Sequence, residues 1–302
     1  MFIHLTPPAP ASPDPQPPPE IRYVLRAVAD ALREAGSPTA RLDAEVLLAH
    51  VLGISRAQLY ARLRAPWPPD VLEAYGAALR RRLAGEPVAY IIGHKDFYGL
   101  DLLVDARVLI PRPETEELVG VVLAAVPRDS VATIVDVGTG SGAIAIALAI
   151  HRPRLQVIGL DISLEALEVA RLNAARCGLD ERISWLQSDL LAQMAGPVQG
   201  IVANLPYTLL DEVEPGVRDW EPTLALIGGG VLGADVIMRL LGDAPRVLGA
   251  GGFVALEIGY NQGAAVRDTA QAAFPQAVVR LQADLAGQDR IVWIQEEGDH
   301  AG

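Results

Sequence analysis

The chain has 302 residues, which at roughly 150 residues per domain corresponds to about two domains. Its 25 Lys and Arg against 37 Asp and Glu give a formal charge of −12, and 51% of its residues are hydrophobic, so it reads as a globular chain with no broad positive field to hold nucleic acid or an anionic membrane. A single cysteine, Cys177, and five scattered histidines exclude an internal disulfide framework and argue against a clustered zinc site.

The residues before the first prolines are too few for the apolar core of a signal peptide. The most apolar run, 143–150, falls short of the roughly 18 residues that a membrane span needs. A soluble cytoplasmic protein is therefore expected. Residues 6–19 carry proline at more than half of their positions, which predicts a disordered or extended tail over 1–19. From Ile21 the pattern changes: Ile21, Val24, Leu25, Val28 and Leu32 recur at helical spacing and stop at Gly36. Ala44, Val46, Leu47, Ala49 and Leu52 predict a second helix ending near Gly53, and 71–83 a third. These make a small helical domain over 20–85. Its arginines (Arg26, Arg33, Arg41, Arg56, Arg62, Arg64 and Arg80 to Arg82) read either as a partner-facing set or as a solvated face.

Over 86–113, short β-branched and aromatic runs broken by Gly93 and Gly99 read as a β-hairpin connector closed by Pro111 and Pro113. Over 114–297, strand-like and helix-like segments alternate, which predicts an α/β domain with a parallel sheet and a terminal antiparallel pair.

The first chemical signal is the strand 131–138 running into Gly138-Thr139-Gly140-Ser141-Gly142 and then a helix. Such a turn brings backbone close to a ligand and presents amide donors at a helix N-terminus. Gly138-x-Gly140-x-x-Ala143 fits a dinucleotide fingerprint as well, so the turn alone leaves an NAD site open. Asp136 precedes it. Asp161 ends the next strand, where an acid accepts both hydroxyls of a ribose, unless it serves as a helix cap, a role that Ser163 could also fill. Asp189 ends the third strand, where an adenine would lie. Three such strand ends point to an adenosyl cofactor.

The fourth strand ends at Asn204-Leu205-Pro206-Tyr207. This resembles the [N/D/S]-P-P-[Y/F/W] motif of methyltransferases that modify planar nitrogens, such as adenine N6 or a glutamine amide. The usual first proline is Leu205 here; Pro206 still steers residue 205 toward extended backbone, while the fixed φ at 205 is lost. Longer strings narrow the family. The segments at 85–119, 40–53, 219–237, 256–263 (LEIGYNQG) and 284–292 (DLAGQDRIV) resemble the release-factor glutamine methyltransferases, the PrmC or HemK-like family, over about 20–295. The resemblance implies a Rossmann-like methyltransferase domain behind a helical substrate-recognition domain. It also implies S-adenosylmethionine as cofactor, and methylation of the glutamine N5 in the Gly-Gly-Gln motif of peptide-chain release factors. By the same resemblance Gly138 to Gly142, Asp161, Leu190 and Asn204 contact cofactor, and Asn204 to Tyr207 hold the glutamine. Arg112, Pro113, Thr115 and Glu116 border the site. An adenine-N6 methyltransferase, a non-catalytic cofactor-binding protein and, more distantly, an NAD oxidoreductase are the competing readings.

Overall fold

The computed structural model describes residues 18–296, so the tail expected over 1–19 lies, up to residue 17, outside the described residues. The chain divides into two compact units, Met1–Ile92 and Gly93–Gly302.

The first unit is helical: α1 (Ile21–Glu34), α2 (Ala40–Val51), α3 (Arg56–Ala61), α4 (Leu72–Leu83) and α5 (Val88–Ile92). The apolar stripe of α1, Ile21, Leu25, Ala29 and Leu32, packs with Ala44, Leu47 and Leu48 of α2, Leu59 of α3 and Tyr75 of α4. Two carboxylates sit buried on α2. Asp43 receives Arg82 at 2.8 Å, and Glu45 receives Arg41 at 2.5 Å, Arg56 at 3.0 Å and the Tyr60 hydroxyl at 2.7 Å. A buried carboxylate stays charged only when so paired. Those arginines are therefore committed inside the unit. Arg26, Arg62, Arg64 and Arg80 are exposed and form no ion pair among the described residues.

The segment expected as one hairpin connector divides. Val88–Ile92 is helical, because Pro87 accepts the N–H groups of Tyr90 and Ile91 and Arg81 covers the last carbonyls. The hairpin itself is β1 (His94–Phe97) with β2 (Leu100–Leu103), joined by Tyr98 and Gly99 at positive φ, the twist that a two-residue hairpin turn requires.

In the second unit the hairpin leads into α6 (Pro113–Ala125), and strands and helices then alternate. These are β3 (Thr133–Val137), α7 (Ala143–His151), β4 (Gln156–Asp161), α8 (Leu164–Arg176), β5 (Ile183–Gln187), β6 (Val198–Ala203), α9 (Pro215–Arg218), α10 (Asp235–Val247), β7 (Leu248–Glu257), α11 (Gly263–Ala273), β8 (Val278–Ala283) and β9 (Asp289–Gln295). The sheet order is β5-β4-β3-β6-β7-β9-β8, parallel through β7, with β9 and β8 antiparallel at one edge. Helices α10 and α11 cover one face and α6 and α7 the other, together with Phe97 and Leu102 of the hairpin. Helix α7 is buried along Ala143–Ala149, which accounts for its continuous apolar run without a membrane. No helix among the described residues is long and apolar enough to cross a membrane.

Candidate active site

The strand order reverses at β3: β4 and β5, which follow it in the chain, lie on one side and β6 and β7 on the other. Ligands of open α/β sheets bind at the carboxyl ends of the strands beside such a reversal. Here those ends carry Gly138 to Gly142 after β3, Asp161 on β4, Asp189 and Leu190 after β5, Asn204 to Tyr207 after β6, and Glu257 on β7.

A cavity of about 450 Å³ opens there, lined by Gly138, Gly140, Asp161, Asp189, Leu190 and Asn204, among others. Its remaining walls include 106–109 and 222–225. A second cavity of about 190 Å³ is lined by Arg112, Tyr207 and Glu212, and shares Leu109, Asn204, Leu205 and Ala225 with the first. Asn204 and Leu205 thus belong to the walls of both.

The glycine turn is built from beneath. Gly138 has a φ of 72°, and a Cβ there would lie 2.9 Å from the Leu205 side chain, so the turn is packed directly on the motif after β6. Asp136 is buried under the turn and does not line the cavity. Its Oδ2 accepts the Thr139 hydroxyl at 2.6 Å and the Ala145 N–H at 3.1 Å, and burial pushes its carboxyl up to about 7. Thr139, Ser141 and Gly142 do not line the cavity either. The Thr139 N–H goes to Leu160, and the Ser141 carbonyl accepts the Asn173 amide at 2.9 Å. Asn173 also exchanges two hydrogen bonds with Leu103, tying α8 and the hairpin to the turn.

Asp161 accepts the Gly140 N–H and the Ser163 N–H, each at 2.9 Å, while Ser163, not Asp161, caps α8 by accepting the Ala166 N–H. Burial raises the Asp161 pKa, and these amides counter part of that rise. Asp189 pairs with Arg239 at 2.7 Å, both on the cavity wall. Leu190 has a φ of 50°, a left-handed backbone that costs a branched residue about 1 kcal/mol or more and that concentrates at functional sites.

Around the Asn204 motif a chain of hydrogen bonds runs through the protein interior. The Asn204 amide donates to the Thr115 hydroxyl at 2.8 Å, Thr115 donates to Glu257 Oε2 at 2.7 Å, and the Tyr207 hydroxyl donates to Glu257 Oε1 at 3.0 Å. Burial raises the Glu257 pKa, and burial with the neighbouring Glu257 carboxylate keeps the Tyr207 phenol protonated far above its usual range. The loop is clamped from outside as well. Gln262 donates to the Tyr207 carbonyl at 2.8 Å, and a Cβ on Gly228 would overlap the Gly233 carbonyl and lie 2.5 Å from the Pro206 carbonyl.

Of the four residues expected to border the site, Arg112 lines the smaller cavity and bonds Glu221 at 2.5 Å, and Thr115 reaches Asn204. Pro113 starts α6. Glu116 turns away to accept the Tyr98 N–H at 2.8 Å, which stabilises the hairpin turn instead. Sequence reasoning missed Glu221, Glu257, Gln262 and Asn173 as site-building residues. A carboxylate inside the otherwise apolar FVALEIG strand was the available signal for Glu257, since a buried charge requires partners.

The larger cavity fits an adenosyl ligand: its size falls in the small-molecule range, with glycine amides, two strand-end carboxylates and the apolar side chains of Leu190, Leu205 and Val236. Residues 119–218 match the Methyltransferase small domain family, and residues 24–93 match the PrmC N-terminal domain family. A solved methyltransferase from Pyrococcus furiosus is similar in fold, with a TM-score of 0.51 and 18% identity, covering 74% of this chain and 99% of that one. The class is thereby set as S-adenosylmethionine-dependent methyltransferase, and the NAD reading falls away. Proteins named release factor glutamine methyltransferase are similar over most of the chain. The one from Moorella thermoacetica is 42% identical over 274 residues, covering 89% of this chain and 96% of that protein. The one from Rhodopirellula baltica is 37% identical, covering 91% and 96%. The chain belongs to the release factor glutamine methyltransferase family.

Proposed function

We propose that the protein transfers the methyl group of S-adenosylmethionine to the side-chain N5 of the glutamine in the Gly-Gly-Gln motif of peptide-chain release factors. The observation that carries this reading is that Asn204 and Leu205 line both cavities, so an amide seated in the smaller one meets a cofactor seated in the larger one at the Asn204 motif.

An amide nitrogen is a poor nucleophile because its lone pair is delocalised into its carbonyl. Asn204 Oδ1 and the Leu205 carbonyl are assigned the two N–H groups of the substrate glutamine, and Pro206 and the Tyr207 ring its planar face. Two acceptors favour the positive charge that builds on nitrogen as its bond to the methyl forms and the methyl–sulfur bond breaks. The surplus N–H proton then passes to water, so positioning and electrostatics carry the step and no strong base is required. S-adenosylmethionine supplies an electrophilic sulfonium methyl. Asp161 is assigned its ribose hydroxyls, Asp189 and Leu190 its adenine, and Gly138 and Gly140 the close backbone approach. Asp136, Thr139, Ser141 and Gly142 hold that turn in shape.

The helical unit is assigned recognition of the release factor, with Arg26, Arg62, Arg64 and Arg80, which form no ion pair among the described residues, as its available charges. With a release factor as substrate, the activity is assigned to the cytoplasm, and no nucleic acid or membrane is assigned as partner. A labelled-methyl transfer assay tests the reading. A release factor, its Gly-Gly-Ala variant and plasmid DNA are offered side by side, and label is expected on the intact factor alone. Label on DNA would replace the substrate with an adenine, and label on none, with cofactor bound, would leave a binding protein.

A further inference from the structure

Glu257 is the last residue of β7 and is 1% exposed. It lies on none of the cavity walls described above, yet both of its oxygens are engaged by groups that lead to the Asn204 motif. Oε2 accepts the hydroxyl of Thr115, itself buried in the first turn of α6, and Oε1 accepts the hydroxyl of Tyr207. We infer that Glu257 is a positioning residue for methyl transfer: through Thr115 it dictates which way round the Asn204 amide stands, and through the Tyr207 hydroxyl it fixes the ring beside it. This rests on the reading of Asn204 Oδ1 as an acceptor for the substrate amide.

Counting protons along the chain fixes the orientation. Both Glu257 oxygens accept a hydroxyl, the arrangement of an ionised carboxylate, which offers only lone pairs, so the single hydroxyl proton of Thr115 is committed to Glu257. Thr115 Oγ1 then has only lone pairs left for Asn204, and the atom facing it at 2.8 Å must be the amide nitrogen. The other end of the amide, Oδ1, is consequently directed away from Thr115. That leaves the side chain presenting an acceptor to a substrate whose nitrogen carries two N–H groups. The reversed amide would present N–H to N–H and oppose both binding and the charge that develops on nitrogen. An amide rotates at little cost in shape, so nothing in packing alone selects between the two orientations. The buried carboxylate does so at a distance. The charged groups around Glu257 are Arg290 on β9, which favours its ionised form, and Glu114 on α6, which opposes it.

Substitution of Glu257 by Gln conserves volume but reverses the logic. The orientation that leaves neither hydroxyl proton unpaired has the Gln oxygen accepting from Tyr207 and its NH₂ donating to Thr115, while the Thr115 proton turns toward residue 204. Asn204 then does best by flipping, with its NH₂ toward substrate. The expected result for Glu257→Gln is a fall in kcat of about a hundredfold, comparable to the loss of one preorganised hydrogen bond in an active site, with S-adenosylhomocysteine affinity kept within about threefold. In the double variant Asn204→Asp with Glu257→Gln, the carboxylate introduced at position 204 accepts the turned Thr115 proton with one oxygen and offers the other to substrate. Its kcat is expected to recover at least about tenfold over Glu257→Gln alone, whereas Asn204→Asp alone, with an acceptor facing an acceptor at Thr115, stays low. Thr115 supplies an independent check should the Glu257 variants fail to fold: Thr115→Val, isosteric but without the hydroxyl, loses kcat, and Thr115→Ser retains it.

Full kcat in Glu257→Gln would overturn the inference and leave the reading of Asn204 untouched. A double variant no faster than Glu257→Gln, with both folded and binding S-adenosylhomocysteine, would overturn it too, reducing Glu257 to a packing role. Equal rates for the Val and Ser variants at 115 would have the same consequence. Full activity in Asn204→Ala would instead remove the reading on which the inference stands.

Discussion

Asn204, after the sheet's central strand β6, is hydrogen-bonded to Thr115 in the first turn of α6 at 2.8 Å, a contact that spans 89 residues of chain. The bond uses the nitrogen end of the Asn204 amide, and in the proposed function the oxygen end is the acceptor for substrate. Replacing Asn204 by Ala is therefore expected to abolish methyl transfer, by at least about a hundredfold in kcat, while S-adenosylhomocysteine binding stays within a few fold. Calorimetry beside a single-turnover assay separates the two quantities. An equal loss of binding and rate would assign Asn204 to the cofactor and not to the amide.

Glu221 holds the cavity wall through the Ile110 N–H at 3.0 Å and the Arg112 guanidinium. Glu221→Ala strands the buried Ile110 N–H, at about 1–3 kcal/mol for a buried unpaired group, and releases the partly exposed Arg112 guanidinium to water. S-adenosylhomocysteine affinity should fall roughly tenfold, equivalent to about 1.4 kcal/mol. Glu221→Gln keeps an oxygen for Ile110 and should lose less. Titration calorimetry of both variants checks the order.

Gly228 is required by contact: a Cβ there would run into the Gly233 carbonyl and crowd that of Pro206. Gly228→Ala should cost about 1–3 kcal/mol of stability, typical of overpacking, and should depress methyl transfer more than cofactor binding because the displaced backbone belongs to the Asn204 loop. Thermal unfolding and the transfer assay measure the two effects, and an unchanged melting temperature would show that the loops separate freely.

Burial pushes the Asp136 carboxyl up to about 7 in the folded chain, from an ordinary value of 3.8. A carboxyl whose pKa is higher when folded binds protons that the unfolded chain has already released, so its contribution to stability falls as pH rises between the two values. Asp136→Asn retains an oxygen for Thr139 and Ala145 but cannot ionise. The melting temperature of the variant relative to the unmodified protein should rise from about pH 4 to about pH 7 and level off above that. A difference that does not vary with pH would show that Asp136 does not titrate in that range.

Much of the methyltransferase unit was legible in the sequence because its central strands are largely buried on both faces and rich in β-branched residues, as in β3 and β6. Helix α11 was not legible. Its buried face is Gly263, Val266 and Ala270, too small to produce a visible apolar period. Helix α5 carries strand-like residues and is helical through Pro87 and Arg81, contacts that a local pattern does not encode. At the site, the strand-end residues were legible because each follows its own strand. The support beneath them was not: Thr115 and Glu257 meet across 142 residues, and Ile110 and Glu221 across 111, pairings that exist only once the sheet has formed. Leu205 also reads differently in the fold, as a buried side chain packed on Gly138.

The most direct measurement is tandem mass spectrometry of a release factor incubated with the protein and S-adenosylmethionine. One added methyl group on the side-chain amide of the Gly-Gly-Gln glutamine, absent when Asn204→Ala replaces the intact enzyme, is the predicted result. An unmodified Gly-Gly-Gln peptide, or a methyl group located on any other residue, would contradict it.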